Sequence, residues 1–292
     1  MSGGSSGPEL ISRRLFVVGC SRSGTTMLQV ALASHPRVCS FPETFFFRRL
    51  TKGISRLPAR LGLPTGRRRA AFERLLAEIE RPDLEQMAPR RVVPVASSAA
   101  AFTAILDRVA LEQGCDIWLE KTPMHLLDIA VIRRHVPAVR FVHVIRDGRD
   151  VVASIHDRAR RLPELFPRQQ EISFGIERWN RSLRISQRHF GRPGHSFAVY
   201  EDLVDDPERT LRRLCREIGI DYREEMLSER EQTARSVIPE HRSWIGNAAE
   251  PPGRRPSKFR RLFDAGLRDE ITAALELDRY ERLRERIESN PR

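Results

Sequence analysis

The sequence predicts an α/β protein with three layers, in which helices cover both faces of a central, mainly parallel sheet. Apolar runs rich in β-branched residues alternate with helical patterns, as expected when each strand leads into a crossover helix. The run 139–145 is almost continuously apolar, which is typical of a parallel strand covered on both faces. The first strand also ends in a glycine-bounded loop that leads directly into a helix.

Length and composition favour one large domain. The 292 residues are 40% hydrophobic, which is enough for a core of that size. We interpret residues 1–12 as a flexible polar leader and 13–292 as a single domain. No apolar run approaches the roughly 20 residues that span a bilayer, and the N-terminus lacks the pattern of a signal peptide. We therefore expect a cytoplasmic protein without an integral membrane segment.

Cysteine spacing and net charge narrow the classes of partner. The four cysteines are widely separated and form no C-x-x-C pair, so the sequence predicts no metal site. The formal net charge of +12 suits nucleic acid, an anionic surface or a strongly anionic small ligand. Because its arginine pairs are scattered among helical patterns with few aromatic residues, we expect no nucleic-acid partner. A basic nucleic-acid-binding protein stays open as an alternative.

The first strand, loop and helix of the chain predict an anion site. Residues 14–26 read Arg-Leu-Phe-Val-Val-Gly-Cys-Ser-Arg-Ser-Gly-Thr-Thr. Backbone N–H groups at the start of a helix lack intrahelical partners, and the helix dipole adds partial positive charge there. Arg22 adds a full charge, and the hydroxyls of Ser23, Thr25 and Thr26 add donors.

The same loop is similar in outline to a nucleoside-triphosphate loop, so the predicted fold is P-loop-like. Gly19 and Gly24 have the spacing of that motif, but Thr25 stands where the motif has its lysine. The loop therefore lacks the usual group for handling Mg-triphosphate. A small-molecule kinase that uses Mg-ATP stays open as an alternative.

Two later strand ends carry candidate catalytic groups. A short strand over 38–41 is followed by Glu43, and the segment 116–123 is a strand that runs into a loop, with Lys121 at the carboxyl end of the strand. The carboxyl ends of parallel strands meet at one edge of a sheet, so both side chains are candidates for the crevice near Arg22. A carboxylate placed there suits general-base catalysis, although a turn or a surface lysine would explain each residue alone.

Between these strands lies a segment over about 45–95 that we interpret as an excursion that lids the site or shapes the choice of substrate. It begins with three phenylalanines at 45–47 and includes a predicted helix at 70–79. A second helix is predicted over 99–111, and a third over 124–136, after the strand that ends at Lys121.

The second half of the chain contains a second candidate anion site. The strand over 139–145 ends at Arg146, and the helix that follows carries Ser154 and, one turn later, Arg158. Two arginines and a hydroxyl suit a phosphate group. A helix over 172–190 and a strand over 195–199 come next.

Two further features follow the last strand. Tyr200 lies where this strand gives way to a loop, and its ring could stack on a base. A helix is predicted over 207–219. Beyond 221 the chain is charged and helical, apart from a proline- and glycine-rich loop over 251–257. The cationic segment 258–261 after this loop, Lys-Phe-Arg-Arg, is a candidate to fold over a bound anion, with a solvated linker as the alternative.

Together, these motifs resemble the PAPS-dependent sulfotransferase family (PAPS is 3′-phosphoadenosine 5′-phosphosulfate). The resemblance is carried, in the family's order over about 15–263, by residues 22–26, 145–154, 200–203 and 257–261. The segments Pro-Glu-Thr at 42–44 and Glu-Lys-Thr-Pro at 120–123 are similar to the branch that contains protein-tyrosine sulfotransferases and many bacterial members. That branch uses a glutamate as its base.

The resemblance implies transfer of a sulfuryl group from PAPS to a hydroxyl acceptor without a metal, leaving adenosine 3′,5′-bisphosphate. The acceptor classes left open are small molecules, glycans, lipids and tyrosine, and a homodimer is left open too. Phe45 begins an aromatic run where the tyrosyl-protein enzymes have arginines that grip acidic peptides, which speaks against protein tyrosine. The resemblance makes Glu43 the general base, with Lys121 assisting at the bridging oxygen and Arg22 stabilising the transferred group.

The resemblance also implies which residues hold the donor. They are, for the 5′-phosphosulfate, Arg22, Ser23, Gly24, Thr25 and Thr26; for the 3′-phosphate, Arg146 and Ser154 with Arg158 nearby; for the adenosine, Tyr200; and, closing over the nucleotide, Ser257, Lys258 and Arg260.

Overall fold

The computed structural model describes residues 10–51, 68–91, 93–237 and 257–289. Its sheet has five parallel strands in the order β2-β3-β1-β4-β5. The strands are β1 (Arg13–Gly19), β2 (Val38–Phe41), β3 (Ile117–Lys121), β4 (Val139–Ile145) and β5 (His195–Val199). The chain leaves β1 toward one edge of the sheet and continues from β4 toward the other, so a crevice opens at the carboxyl ends of β1 and β4.

Helices cover both faces of the sheet. In chain order they are α1 (Thr25–Ala33), α2 (Phe46–Thr51), α3 (Arg68–Glu78), α4 (Val95–Glu112), α5 (Ile129–His135), α6 (Gly148–Arg161), α7 (Ile172–His189), α8 (Tyr200–Asp205), α9 (Pro207–Ile218), α10 (Glu225–Ser228), α11 (Arg230–Val237), α12 (Lys258–Leu262), α13 (Ala265–Ala274) and α14 (Leu277–Glu288). Three 3-10 turns lie at Pro82–Met87, Pro123–Leu127 and Pro167–Gln170.

The core divides along the two faces of β1, because successive side chains of a strand point to opposite sides. Phe16 and Val18 pack with α2 and α4 on one face. Leu15 and Val17 pack with α1 and α9 on the other. A third cluster lies under α6, α7 and the C-terminal helices. The predicted three-layer fold with a parallel sheet is therefore confirmed.

The segment after β3 differs from its prediction as one helix over 124–136. It forms a 3-10 turn and then α5, with Asp128 between them. The buried carboxylate of Asp128 accepts hydrogen bonds from Arg48 and Thr51 of α2. These tertiary contacts compete with a continuous helix, which the apolar periodicity of the segment could not show.

The aromatic run at 45–47 lies mainly in the core. Phe46 and Phe47 are fully buried and pack on Phe102 of α4, with ring centroids 4.6 and 5.1 Å apart, while Phe45 is only half-buried. Of the predicted excursion, residues 52–67 and 92 lie outside the described residues, as do residues 1–9 of the leader and 251–256 of the C-terminal loop. Within the described ranges, no helix is both long and apolar enough to cross a membrane.

Candidate active site

The loop between β1 and α1 passes unusually close to its neighbours. A Cβ at Gly19 would lie 2.5 Å from the carbonyl oxygen of Val144 in β4, and one at Gly24 would lie 2.3 Å from the Tyr200 ring. Gly24 also has a φ of 88°, in the region that favours glycine. Among the described residues no side chain caps α1. Its first N–H groups therefore suit an external anion, as the loop motif predicts.

The loop residues themselves are mostly turned inward. The side chains of Ser23 and Thr25 are buried, whereas Thr26 is half-buried. Arg22 also has a positive φ, 76°, which is uncommon for a residue with a side chain. This conformation allows its guanidinium group to cross toward α6, where Nε donates a hydrogen bond to Ser154 Oγ at 3.1 Å.

Arg146 connects the two predicted anion sites. Its Nη1 donates to the carbonyl oxygen of Arg22 at 3.2 Å, so the end of β4 supports the loop after β1. Burial and the charge of Arg146 lower the pKa of Arg22, since two cations lie together. A bound anion would relieve this repulsion. The predicted phosphosulfate and 3′-phosphate residues thus form one site.

Tyr200 begins α8, although a loop is predicted there, and it packs against the same site. Its ring centroid lies 4.0 Å from the guanidinium carbon of Arg146, a cation–π distance. Asp150 Oδ2 lies 3.6 Å from Nη2 of the same arginine. These two contacts orient the Arg146 side chain before any ligand binds.

Two of the residues predicted to close over the nucleotide, Ser257 and Lys258, lie against α6. Ser257 Oγ donates to Asp150 Oδ1 at 3.1 Å, and Lys258 Nζ lies 2.6 Å from Asp157 Oδ2. Arg260, in contrast, is exposed. Two of the three residues predicted to close over the nucleotide are therefore held beside the helix that carries Ser154.

Glu43 and Lys121 form a close ion pair. Lys121 Nζ lies 2.5 Å from Glu43 Oε1, and the lysine is almost fully buried. The pair exists because β2 and β3 are neighbours in the sheet, with Phe41 opposite Glu120, so their ends meet at the same edge. The two predicted catalytic side chains are thus brought together.

His125 and His143, the alternative candidates for the base, are enclosed by the core. His125 Nδ1 lies 2.9 Å from Glu120 Oε2, and His143 Nδ1 lies 3.1 Å from Ser186 Oγ. Both rings are fully buried. Neither position suits contact with an acceptor.

An arginine that the sequence analysis missed, Arg178, lies near the site together with Arg158. The Arg158 guanidinium carbon is 4.1 Å from the Phe166 ring centroid, and that of Arg178 is 5.3 Å from the Phe174 ring centroid. Among the described residues neither arginine forms an ion pair with a carboxylate. Burial and the charges of Arg22 and Arg178 lower the pKa of Arg158 to about 10.

A signal for Arg178 is present in the sequence. It lies directly before the buried Trp179 and one turn before the buried Ser182, at the edge of the apolar stripe of α7. An arginine at such a position is directed partly into the protein.

Among the described residues, no group of three or more His, Cys, Asp or Glu side chains is placed to hold a metal ion.

Comparison with known proteins places the chain in a family. Residues 14–224 match the model of the sulfotransferase family. The protein is therefore an enzyme of the sulfotransferase class, and the chain belongs to the sulfotransferase family. The resemblance drawn from the motifs is confirmed at this level, including its bacterial and protein-tyrosine relatives.

The individual relatives are distant. A putative protein-tyrosine sulfotransferase of Caenorhabditis briggsae is 25% identical over 221 residues, covering 74% of this chain and 69% of that protein. The omega-hydroxy-beta-dihydromenaquinone-9 sulfotransferase Stf3 of Mycobacterium tuberculosis is 28% identical over 146 residues, covering 47% of this chain and 37% of that protein. The match thus spans little more than a third of the length of Stf3.

A solved structure agrees with the fold. The sulfotransferase domain of the Synechococcus PCC 7002 olefin synthase has a TM-score of 0.53 with 21% identity, and the alignment covers 96% of each chain. Sulfotransferase STF9 from Mycobacterium avium has a TM-score of 0.51 with 15% identity, and the alignment covers 90% of this chain and 76% of that one. At these identities the likeness concerns the fold alone.

Proposed function

We propose that this protein transfers the sulfuryl group of PAPS to a hydroxyl acceptor, with Glu43 as the general base. The observation that carries the proposal is the Glu43–Lys121 pair, which lies at the same sheet edge as the Arg22 loop. A base and a cation are thus available on one side of a site that can hold an anionic donor. The chain's membership of the sulfotransferase family supports the reaction class.

The residues present fit PAPS as the donor. The uncapped start of α1 and the Arg22 side chain suit the phosphosulfate. Arg146 and Ser154 contact Arg22, Lys258 lies beside the helix that carries Ser154, and the three residues suit a second phosphate. Thr25 in place of the P-loop lysine favours this ligand over a triphosphate.

The chain's own residues would support an in-line displacement. Bound PAPS would supply the sulfuryl group. Glu43 would accept the proton of the acceptor hydroxyl as the new O–S bond forms, and the bond from sulfur to the 5′-phosphate oxygen would break. Lys121 would stabilise the charge on that oxygen and Arg22 the charge on the equatorial oxygens. The leaving group would be adenosine 3′,5′-bisphosphate.

Two relatives are named for phenolic and alcoholic acceptors, protein tyrosine and a hydroxylated menaquinone. A phenol or an alcohol is accordingly the acceptor class that we propose. Because Phe46 and Phe47 are core residues, of the aromatic run only Phe45 is left to contact it.

Calorimetry and a transfer assay together test this function. We expect metal-independent binding of adenosine 3′,5′-bisphosphate, no comparable binding of Mg-ATP, and transfer of label from ³⁵S-PAPS to members of a panel of phenols, alcohols, sugars and lipids. Binding of Mg-ATP without binding of the bisphosphate would instead favour the kinase. Affinity for DNA or RNA that falls steeply with salt and does not depend on Arg22 would favour a nucleic-acid-binding protein.

A further inference from the structure

Glu120 is a fully buried carboxylate that the proposed chemistry does not use. It lies in β3 opposite Phe16 of β1 and Phe41 of β2, on the face of the sheet that packs against the aromatic core. A charge in such surroundings is costly unless hydrogen bonds compensate for it. Its hydrogen-bond partners therefore indicate what it is for.

Three of the hydrogen bonds to Glu120 come from the two threonines that follow Glu43 and Lys121 in the chain. Glu120 Oε1 accepts hydrogen bonds from the Thr44 amide at 3.1 Å and the Thr44 hydroxyl at 2.9 Å, and from the Thr122 hydroxyl at 2.5 Å. Thr44 directly follows Glu43, and Thr122 directly follows Lys121. One carboxylate oxygen thus joins the ends of β2 and β3.

The network extends to the next two backbone amides. The Phe45 amide donates to Thr122 Oγ1 at 3.2 Å, and the Phe46 amide donates to Thr44 Oγ1 at 3.2 Å. The three successive amides after Glu43 are therefore linked to Glu120, one directly and two through a threonine hydroxyl. Phe45 has a φ of 51°, a conformation that L-residues rarely adopt and that needs such support.

The second oxygen of Glu120 is also satisfied, since it lies 2.9 Å from His125 Nδ1. Burial by itself would raise the pKa of Glu120, but His125 and the threonine hydrogen bonds outweigh burial and lower it. The carboxylate is therefore held in its ionised form, in which both oxygens accept hydrogen bonds.

We propose that Glu120 is a positioning residue, which acts through Thr44 and Thr122 to hold Glu43 in contact with Lys121. This inference rests on the proposed roles of Glu43 and Lys121 in sulfuryl transfer. It adds a requirement of its own: the threonine hydroxyls should matter for turnover without contacting the donor.

Thr44→Val tests the inference because it removes the hydroxyl and preserves the shape of the side chain. We expect kcat to fall about tenfold to a hundredfold, with unchanged affinity for adenosine 3′,5′-bisphosphate. Thr44→Ser retains the hydroxyl and should restore most of the turnover. Thr103→Val is the matched control, since Thr103 in α4 is a buried threonine whose hydroxyl, in the part of the chain that the structure describes, donates only to Ala99 O of its own helix.

Turnover is measured with the best acceptor of the panel and, independently of any acceptor, as release of the bisphosphate from PAPS by water. If Thr44→Val does not fold, Thr122→Val with Thr122→Ser replaces it. Equal kcat in Thr44→Val and Thr103→Val, equal losses in Thr44→Val and Thr44→Ser, or a parallel loss of bisphosphate affinity would each overturn the inference. Full turnover in Glu43→Gln would instead overturn the proposed function.

Discussion

Lys121 Nζ lies 2.5 Å from Glu43 Oε1, although 78 residues separate them in the chain. The contact depends on the parallel pairing of β2 with β3, which brings Lys121, the last residue of β3, beside Glu43, which lies just beyond the carboxyl end of β2. In the proposed reaction this pair provides the base and the cation for one displacement. Its members can be tested separately from the groups that hold the nucleotide.

We expect Glu43→Gln to bind adenosine 3′,5′-bisphosphate normally and to lose at least about a hundredfold in kcat, because an amide cannot accept the acceptor's proton. Calorimetry and the transfer assay measure the two quantities. Glu73→Gln, which removes a carboxylate of an exposed pair on α3, is the control and should behave like the wild type. Normal turnover in Glu43→Gln would assign the base elsewhere.

Arg146→Ala should weaken binding of the bisphosphate about tenfold to a hundredfold, the loss expected for a charge-assisted hydrogen bond. The substitution also removes the donor to Arg22 O, so both halves of the donor site are affected. Calorimetry provides the measurement. Arg149→Ala is the matched control, since Arg149 follows in the same motif but contacts Asp147 and is partly exposed. Equal affinities in the two variants would exclude Arg146 from the phosphate site.

Gly24→Ala should destabilise the protein more than Gly191→Ala does. Both glycines have a φ near 80°, but a Cβ at Gly24 would clash with Tyr200, whereas nothing lies within 4 Å of one at Gly191. Gly191→Ala should cost only the backbone strain, about 1–2 kcal/mol. The difference in the free energy of unfolding, measured with denaturant, isolates the contact with Tyr200. Equal losses of stability in the two variants would mean that the Tyr200 ring moves away from the new Cβ at no cost in free energy.

Stability should fall as pH drops below about 6.5, because of a cluster formed by the buried His143 and the half-buried His189 and His195. Burial lowers the pKa of His143 far below its ordinary value and that of His195 to about 3. Below about pH 6.5 the unfolded chain binds protons that the native state excludes, so each such histidine costs up to about 1.4 kcal/mol per pH unit.

Denaturant unfolding at a series of pH values measures this loss. His189→Phe removes one titrating group of the cluster. Among the residues that the structure describes, His189 Nδ1 is buried without a hydrogen-bond partner. Its free energy of unfolding should therefore depend less steeply on pH between about 6.5 and 4.5 than that of the wild type. An unchanged slope would show that the cluster does not control the acid sensitivity.

Arg178→Met should raise the melting temperature. Within the described ranges, Arg178 Nε is buried without a hydrogen-bond partner and the side chain forms no ion pair with a carboxylate, and burial lowers its pKa. Replacing a buried charge that lacks an ion-pair partner by an apolar side chain of similar length is commonly stabilising. Calorimetric melting of this variant, with the exposed and ion-paired Arg235→Met as control, measures the effect. A lower melting temperature would show that the contacts of Arg178 with Met124 and Phe174 outweigh the cost of burying its charge.

Much of the fold was predictable because its signals are local. The apolar run of β4, the glycines at 19 and 24 and the stripes of α4 and α9 lie within short windows and determine strand, turn and helix there. The 3-10 turn before α5 was not predictable, since the interruption at Asp128 depends on contacts with α2. Likewise, nothing local distinguishes Phe45 from the two core phenylalanines that follow it.

By itself, the sequence determined which residues stand at the strand ends, and with them the family and the candidate groups Glu43, Lys121, Arg22 and Arg146. Only the tertiary structure decided which of these residues meet. It also decided that Glu120 links Thr44 and Thr122, the residues that follow Glu43 and Lys121. The physical reason is that strand and turn preferences act over a few residues. Strand order, register and the burial of a charge depend instead on contacts between distant segments, here 78 residues apart for Glu43 and Lys121 and 132 for Arg22 and Ser154.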